Sequence, residues 1–465
     1  MSTGAAPDTA ASYGRSASLL SLGVGISGLV TYAYFALASH NLDRTAYGEI
    51  VVVWSAVFII VATLYRPIEQ LLSRTLAERE ARGQSLAAPL RVAALIQGGL
   101  AAAFAICALA LRGPLEDGLM DGDSTLYWVF FAAVLAFAAG YFVRGLLAGS
   151  RRFASYFLLM LSEAIARVAF AVAVAAGVAS GQDVVALGIV AGPCIGLIAL
   201  PLALSGLRGR GGTATDATSR SDAPAGADRQ EPEFTLAHGS GFAAAVLLIM
   251  FSEQTFLNAG PLLLNATEGA AAAGFIFNVL MIARAPLVLF QAVATSLLPH
   301  LTRLRSGDGD SSEDAFRLSI RGTLAVIAAL ALVVGLVVLA AGPALMQIAF
   351  GDKFSYERAD LLIVTVGMGF YLSAATLNQA ALAQGQVRGA AACAIGCAAG
   401  FVAFNLLPVL DEVRRVEVGF SAAAIVLFTL LYALYRRPPS RPGDRVRPNS
   451  PQELAARLAA ADEAG

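Results

Sequence analysis

The feature that most constrains this chain is the recurrence, from end to end, of apolar stretches about 20 residues long. That is the length an α-helix needs to cross a hydrocarbon core of ~30 Å. Twelve are read, at 17–38, 49–65, 90–111, 126–148, 154–178, 184–206, 241–263, 271–296, 318–341, 359–383, 390–410 and 417–435. The second continues into a helix-permissive run as far as Glu80. Lipid offers no partner to a free amide or carbonyl, so stretches of this length are expected to be helices. The expected fold class is an all-α polytopic membrane protein.

The basic residues orient it. With a cytoplasmic N-terminus, the inner segments hold 24 of the 32 Lys and Arg residues. The outer loops hold six, namely Arg44, Arg112, Lys353, Arg358, Arg414 and Arg415. This inner excess predicts both termini in the cytoplasm of a cell-membrane protein. Arg15 and the apolar run ending in Ala36-Leu37-Ala38 imitate a signal peptide. The run exceeds the usual h-region of roughly 7 to 15 residues, so it is read as retained.

A net charge of −1 argues against a nucleic-acid partner. Cys107, Cys194, Cys393 and Cys397 all fall within spans; Cys393 and Cys397, one turn apart, have no His or acid nearby and read as packing residues. His40, His238 and His300 are scattered. With no catalytic signature, an enzyme, a metal site or a cofactor is not expected.

Residues 207–239 are rich in Gly, Ala, Ser, Thr and Asp and read as a disordered cytoplasmic linker. The expected domains are a cytoplasmic tail at 1–16, an N-lobe at 17–206, the linker, a C-lobe at 240–435 and a cytoplasmic tail at 436–465. The lobes look related: an offset of 226 residues carries Gly48 onto Gly274, Leu71-Leu72 onto Leu297-Leu298, and Arg91 onto Arg317. Six spans per lobe make this a parallel repeat about an axis along the membrane normal. Transporters built so bind substrate between the halves and rock.

Four charges, Glu163, Arg167, Glu253 and Arg284, lie deep inside the spans, away from their ends. A charge at the bilayer centre costs roughly 2.5 to 3.5 kcal/mol even on insertion scales, so each is expected to face a cavity or a partner. Glu163 and Arg167 are four apart and could pair on one helix face. Glu253 has Gln254 beside it and Asn258 a turn on; Arg284 has Asn278 before it and Pro286, a helix-bending residue, after it. Arg284 could instead be held by Glu253.

Several motifs together resemble a known family. They are His40-Asn-Leu-Asp-Arg-Thr-Ala-Tyr47-Gly48, Arg66-Pro67-Ile-Glu69-Gln70-Leu-Leu-Ser-Arg74, and Arg144-Gly-Leu-Leu-Ala-Gly149-Ser-Arg-Arg152. Asn258-Ala-Gly-Pro261, which reads as the end of the seventh helix, and Arg284-Ala-Pro286 through Leu298-Pro299 complete the set. Across roughly residues 15 to 435 the chain resembles the polysaccharide and oligosaccharide flippases of the multidrug/oligosaccharidyl-lipid/polysaccharide (MOP) exporter superfamily. The resemblance implies a V-shaped, two-lobed transporter of twelve helices that moves an undecaprenyl-diphosphate-linked oligosaccharide across the cytoplasmic membrane. Membrane lipids and other polysaccharide-assembly proteins are the partners it implies.

Arg284 and Arg167 would then bind the diphosphate, since a guanidinium stays charged and forks onto phosphate. Glu253, Glu163, Asn258 and Asn278 would line the cavity, and Arg66 and Arg144 would serve its cytoplasmic mouth, unless they snorkel to lipid phosphates. Either Glu could couple transport to an ion. The alternative is a multidrug and toxin extrusion (MATE) cation antiporter, which the sequence disfavours because no aromatic cluster suited to a drug cation is visible in it.

Overall fold

A computed structural model describes residues 7–211, 236–284, 310–354 and 356–437. The described residues are helical and contain no strand. The helices are α1 (Pro7–Asn41), α2 (Arg44–Leu64), α3 (Arg66–Ala81), α4 (Ala87–Ala110), α5 (Arg112–Leu119), α6 (Ser124–Gly149) and α7 (Phe153–Ala175). They continue as α8 (Gln182–Gly211), α9 (Leu236–Glu268), α10 (Ala270–Arg284), α11 (Asp310–Phe350), α12 (Arg358–Ala383), α13 (Val387–Asn405) and α14 (Glu412–Tyr435). Ten helices among the described residues are long and apolar enough to span a bilayer, α2 and α3 counting as one. α1 covers the first expected span, and α10 covers the eighth as far as Arg284. Pro286, the rest of that span and the linker residues 212–235 lie outside the described residues.

Local chemistry sets the helix ends. Asp43 starts α2 by accepting from the Ala46 amide at 2.9 Å, and Asp123 starts α6 by accepting from Thr125 and Leu126 at 2.7 and 3.1 Å. The break between α2 and α3 falls at Tyr65. Pro67 has no amide to give the α2 ladder and its ring crowds the carbonyl four residues back, so the helix restarts there. Pro261 behaves differently from expectation. Helix α9 runs through it to Glu268, so it lies within the seventh helix and does not end it. The short α5, in the loop after α4, was not visible as an apolar span.

The helices form two lobes in a V. In the first, α1 packs on α7, α6 on α8 and α3, and α7 on α8; in the second, α12 packs on α14 and α11, and α13 on α9 and α14. The lobes meet where α2 crosses α10. A Cβ on Gly48 would lie 1.8 Å from the Ala270 carbonyl oxygen, and one on Gly274 would lie 3.2 Å from the Gly48 Cα. The glycines matched by the internal repeat thus face each other, as residues related by an axis between the lobes should.

A seal surrounds this crossing. Phe35 packs on Phe277 with ring centroids 4.6 Å apart. The Tyr47 hydroxyl donates to Asn278, whose amide donates to the Tyr356 hydroxyl at 2.9 Å. Lys353, the single lysine of the chain, donates to the carbonyls of Ser39 and His40 at 3.2 and 2.9 Å and to that of Leu42, at the C-terminus of α1. Asn265 donates to the Leu119 carbonyl at 3.2 Å, and the Tyr32 hydroxyl donates to the Met281 carbonyl. Tyr32 lies nine residues inside the end of α1, so the seal is about 14 Å deep at 1.5 Å per residue.

The outer surface suits lipid. Helix α11 is strongly apolar yet little buried, with Leu318, Val326, Leu332 and Ile348 exposed. Such a continuous apolar face is solvated by hydrocarbon, not water.

The crossing yields a test. Gly48→Ala places a methyl against backbone that cannot rotate away, at a cost of about 1–3 kcal/mol, and should lower the thermal unfolding midpoint of the purified protein. Gly98→Ala, where nothing lies within 4 Å, should leave the midpoint unchanged or higher.

Candidate functional site

Each lobe carries one group of buried polar side chains beside a cavity. The N-lobe group sits in a cavity of about 180 Å³ bordered by Ser27, Thr31, Trp54, Arg144, Glu163 and Arg167. Glu163, 2% exposed, is ion-paired with Arg144 of α6. Its expected partner on the same helix, Arg167, is engaged elsewhere. Arg167 donates to the Thr31 hydroxyl at 3.3 Å and lies over the Trp54 ring, 4.7 Å from its centroid. The i,i+4 spacing allowed an ion pair on α7, but the α6–α7 packing supplied a cation from a neighbouring helix. Arg144 is therefore a buried partner of Glu163, not a residue at an open mouth, and its guanidinium also lies 4.8 Å from the Tyr141 ring centroid.

Arg66 stands at the α2–α3 break. Its electrostatic partners are Glu253 of the other lobe, Glu69, Tyr141 and Tyr156, so it too faces protein charge and not lipid phosphate. Glu69 accepts from the Tyr156 hydroxyl at 2.8 Å. Sequence reading missed Glu69 and Tyr156. Glu69 follows the second apolar stretch and looks like the start of a solvated segment, because the continuation of the span into α3 hides its burial.

The C-lobe group centres on Glu253, midway along α9. A small pocket, with room for about one water, is lined by Ser252, Glu253, Phe256, Tyr371, Asn378 and neighbouring apolar residues. Phe256 lies 5.7 Å from Tyr371 and 5.9 Å from Phe401, ring centroid to ring centroid, with Phe420 beyond at 6.2 Å. An aromatic cluster therefore borders a mid-membrane carboxylate, contrary to the sequence expectation. Its members come from α9, α12, α13 and α14, far apart in sequence, and only the packing unites them.

Among the described residues no ion pair within 4 Å involves Glu253; its charged neighbour is Arg66 across the interlobe space. Arg284 faces Tyr32 of α1 and Tyr371 of α12, and its Nε and Nη2 have no hydrogen-bond partner among the described residues. No ion pair joins Glu253 to Arg284 among the described residues, so the expected alternative of a Glu253-held arginine does not describe this arrangement. The two Asn candidates are occupied. Asn278 is fully buried between Tyr47 and Tyr356 in the seal, and Asn258 donates to Gln254 within α9 at 3.0 Å. The structure thus brings Arg66, Glu253, Tyr371, Arg284 and Tyr32 to one interlobe region, with Arg144, Glu163 and Arg167 in the adjoining N-lobe cavity.

No protein-family model and no curated protein matches this chain. Solved structures do. The MATE multidrug transporter DinF-BH shares the fold at a TM-score of 0.61, with 13% identity over 90% of this chain and 94% of that one. An inward-facing multidrug resistance MATE family transporter of the MOP superfamily gives 0.60 at 12% identity, covering 90% and 97%. A point mutant of the Vibrio cholerae MATE transporter VcmN gives 0.57 at 14% identity, covering 91% and 96%. The chain therefore has the two-lobed, V-shaped fold of MATE transporters, a branch of the MOP superfamily. The expected two-lobed, V-shaped helical fold agrees with this, and none of these three neighbours is described as a flippase.

The ion pair gives the prediction of this section. Arg144→Ala leaves Glu163 buried without a cation and should destabilise the protein by about 3–5 kcal/mol, whereas Arg144→Met with Glu163→Met should recover most of that loss. Arg167→Ala spares the pair and should destabilise less than Arg144→Ala. Thermal unfolding in detergent ranks the three variants, and equal losses for both single Ala variants would mean that Glu163 depends on the two arginines alike.

Proposed function

We propose that this chain exports amphipathic organic cations by alternating access, as a MATE-type transporter of the cell membrane. The observation that carries this reading is Glu253, a carboxylate midway along α9 with no ion pair within 4 Å among the described residues, which shares with Phe256 and Tyr371 a small pocket that would have to widen to admit an organic cation. A carboxylate supplies charge and aromatic faces supply cation–π attraction, together a receptor for a desolvated organic cation. The description of the structural neighbours as multidrug transporters supports the same reading.

A second reading is kept because one observation favours it. The N-lobe cavity presents Arg144 and Arg167 against Glu163, a net positive wall that suits a lipid diphosphate. On this reading Arg284 and Arg167 bind the headgroup of a lipid-linked oligosaccharide, and the chain is a flippase of polysaccharide assembly.

Transport assays separate the two. In everted vesicles the wild type should accumulate a fluorescent organic cation against its gradient, and Glu253→Gln should reduce the initial rate at least tenfold while the protein inserts normally. Absence of cation uptake, together with rescue of a flippase-null strain that Arg284→Ala abolishes, would transfer the assignment to the second reading.

The Arg distribution supports both termini in the cytoplasm and the sealed end outward, so the described state faces inward. In a variant lacking the native cysteines, a cysteine at Asp117 should react with an impermeant reagent in intact cells, and one at Gln84 should not. The reverse pattern would invert the topology.

A further inference from the structure

A second buried carboxyl group lies away from the interlobe space. Glu417, on the second turn of α14, is 0% exposed, and neither of its carboxylate oxygens has a hydrogen-bond donor among the described residues. Asp360, on the first turn of α12, is within hydrogen-bonding reach of it, and the Asp360 Oδ1 also lacks a donor there. Two ionised carboxylates can only accept, so they cannot satisfy one another, and a buried, unpaired carboxylate is among the costliest groups a protein can hold. One proton removes the conflict by turning one carboxyl into a donor.

The surroundings assign that proton. The Arg414 Nη2 lies 3.5 Å from the Asp360 Oδ1 and 4.0 Å from the Glu357 Oε2, so Asp360 has a cation beside it, whereas no cation lies within 4 Å of Glu417 among the described residues. The charged groups that act on Glu417 are Asp360, Arg414 and Glu357, the carboxylates outnumbering the single arginine. The other helices against this part of α14 approach it with uncharged groups, α13 with Phe404 and Asn405 and α9 with Gly260. We propose that Asp360 and Glu417 form a proton-binding site of the C-lobe, in which a neutral Glu417 donates to an ionised Asp360. The site is independent of what the interlobe cavity carries. It lies at the root of α12, four residues beyond the seal residue Tyr356 and on the helix that presents Tyr371 to Glu253.

Infrared spectra of the full-length protein in lipid nanodiscs at neutral pH test this directly. The wild type should show the carbonyl stretch of a protonated carboxylic acid, shifted in D2O, and the wild-type minus Glu417→Gln difference should contain one such band. The thermal midpoint of Glu417→Gln should stay close to that of the wild type, because its neutral amide can still donate to Asp360. An identical acid band in wild type and variant would overturn the proposal. So would an absent acid band combined with a midpoint that rises with added sodium at fixed pH, because a metal cation would then occupy the pair. Should Glu417→Gln not fold, the wild-type acid band followed from neutral to strongly alkaline pH decides alone: loss of one acid without unfolding supports the site, and a constant band overturns it.

Discussion

The close approach of α2 and α10 at Gly48 and Gly274 is the contact on which the rest of the architecture depends. Two helices can cross with backbone nearly touching backbone only where both lack a side chain, as small residues permit in membrane interfaces generally. Once that crossing is fixed, the rings of Phe35, Tyr47, Phe277 and Phe354 fill the space around it, and the polar chain Tyr47–Asn278–Tyr356 closes over them. Every polar atom in such a seal must find a partner inside the protein, and this explains why Lys353 seeks the free carbonyls at the end of α1. The lone lysine is thus a C-cap supplied by the opposite lobe.

From that pivot the lobes diverge and the charges sort themselves. Glu163 and Arg144 neutralise each other within the N-lobe, and Arg167 is held by Trp54 and Thr31. Among the described residues Glu253 and Arg284 lack such close partners, and each has an electrostatic neighbour in the other lobe, Arg66 for Glu253 and Tyr32 for Arg284. The distinction matters because a satisfied pair is part of the scaffold, whereas an incompletely satisfied charge facing an opening has interaction energy left for a ligand.

Much of the fold was legible in the sequence. Span positions followed from apolar length, and the repeat offset that matched Gly48 with Gly274 named the two residues that meet at the pivot. The site was less legible, for a geometric reason. Glu163 and Arg167 satisfy a spacing rule for one helix, but a helix carries no record of which neighbour lies nearer, and Arg144 comes from 19 residues away in sequence. The aromatic cluster beside Glu253 was invisible for the same reason, as Phe256, Tyr371, Phe401 and Phe420 lie on four different helices. Pro261 was misjudged because a proline within a buried helix loses one hydrogen bond that neighbouring groups can offset, while Pro67, at a break where the chain restarts, does end its helix.

On the proposed reading, the electrostatic proximity of Arg66 and Glu253 would connect the site to the movement of the lobes. The two residues belong to different lobes and are electrostatic neighbours, with no ion pair within 4 Å between them among the described residues. On the proposed reading, an organic cation at Glu253 competes with Arg66 for the same carboxylate. Binding then removes an interlobe attraction on the open side while the seal on the opposite side is untouched. A ligand shifts a conformational equilibrium only by its difference in affinity between the two states. Here that difference has a physical source: Arg66 is held at a fixed place in the N-lobe, so its competition with the ligand changes whenever the lobes rotate about the Gly48–Gly274 crossing.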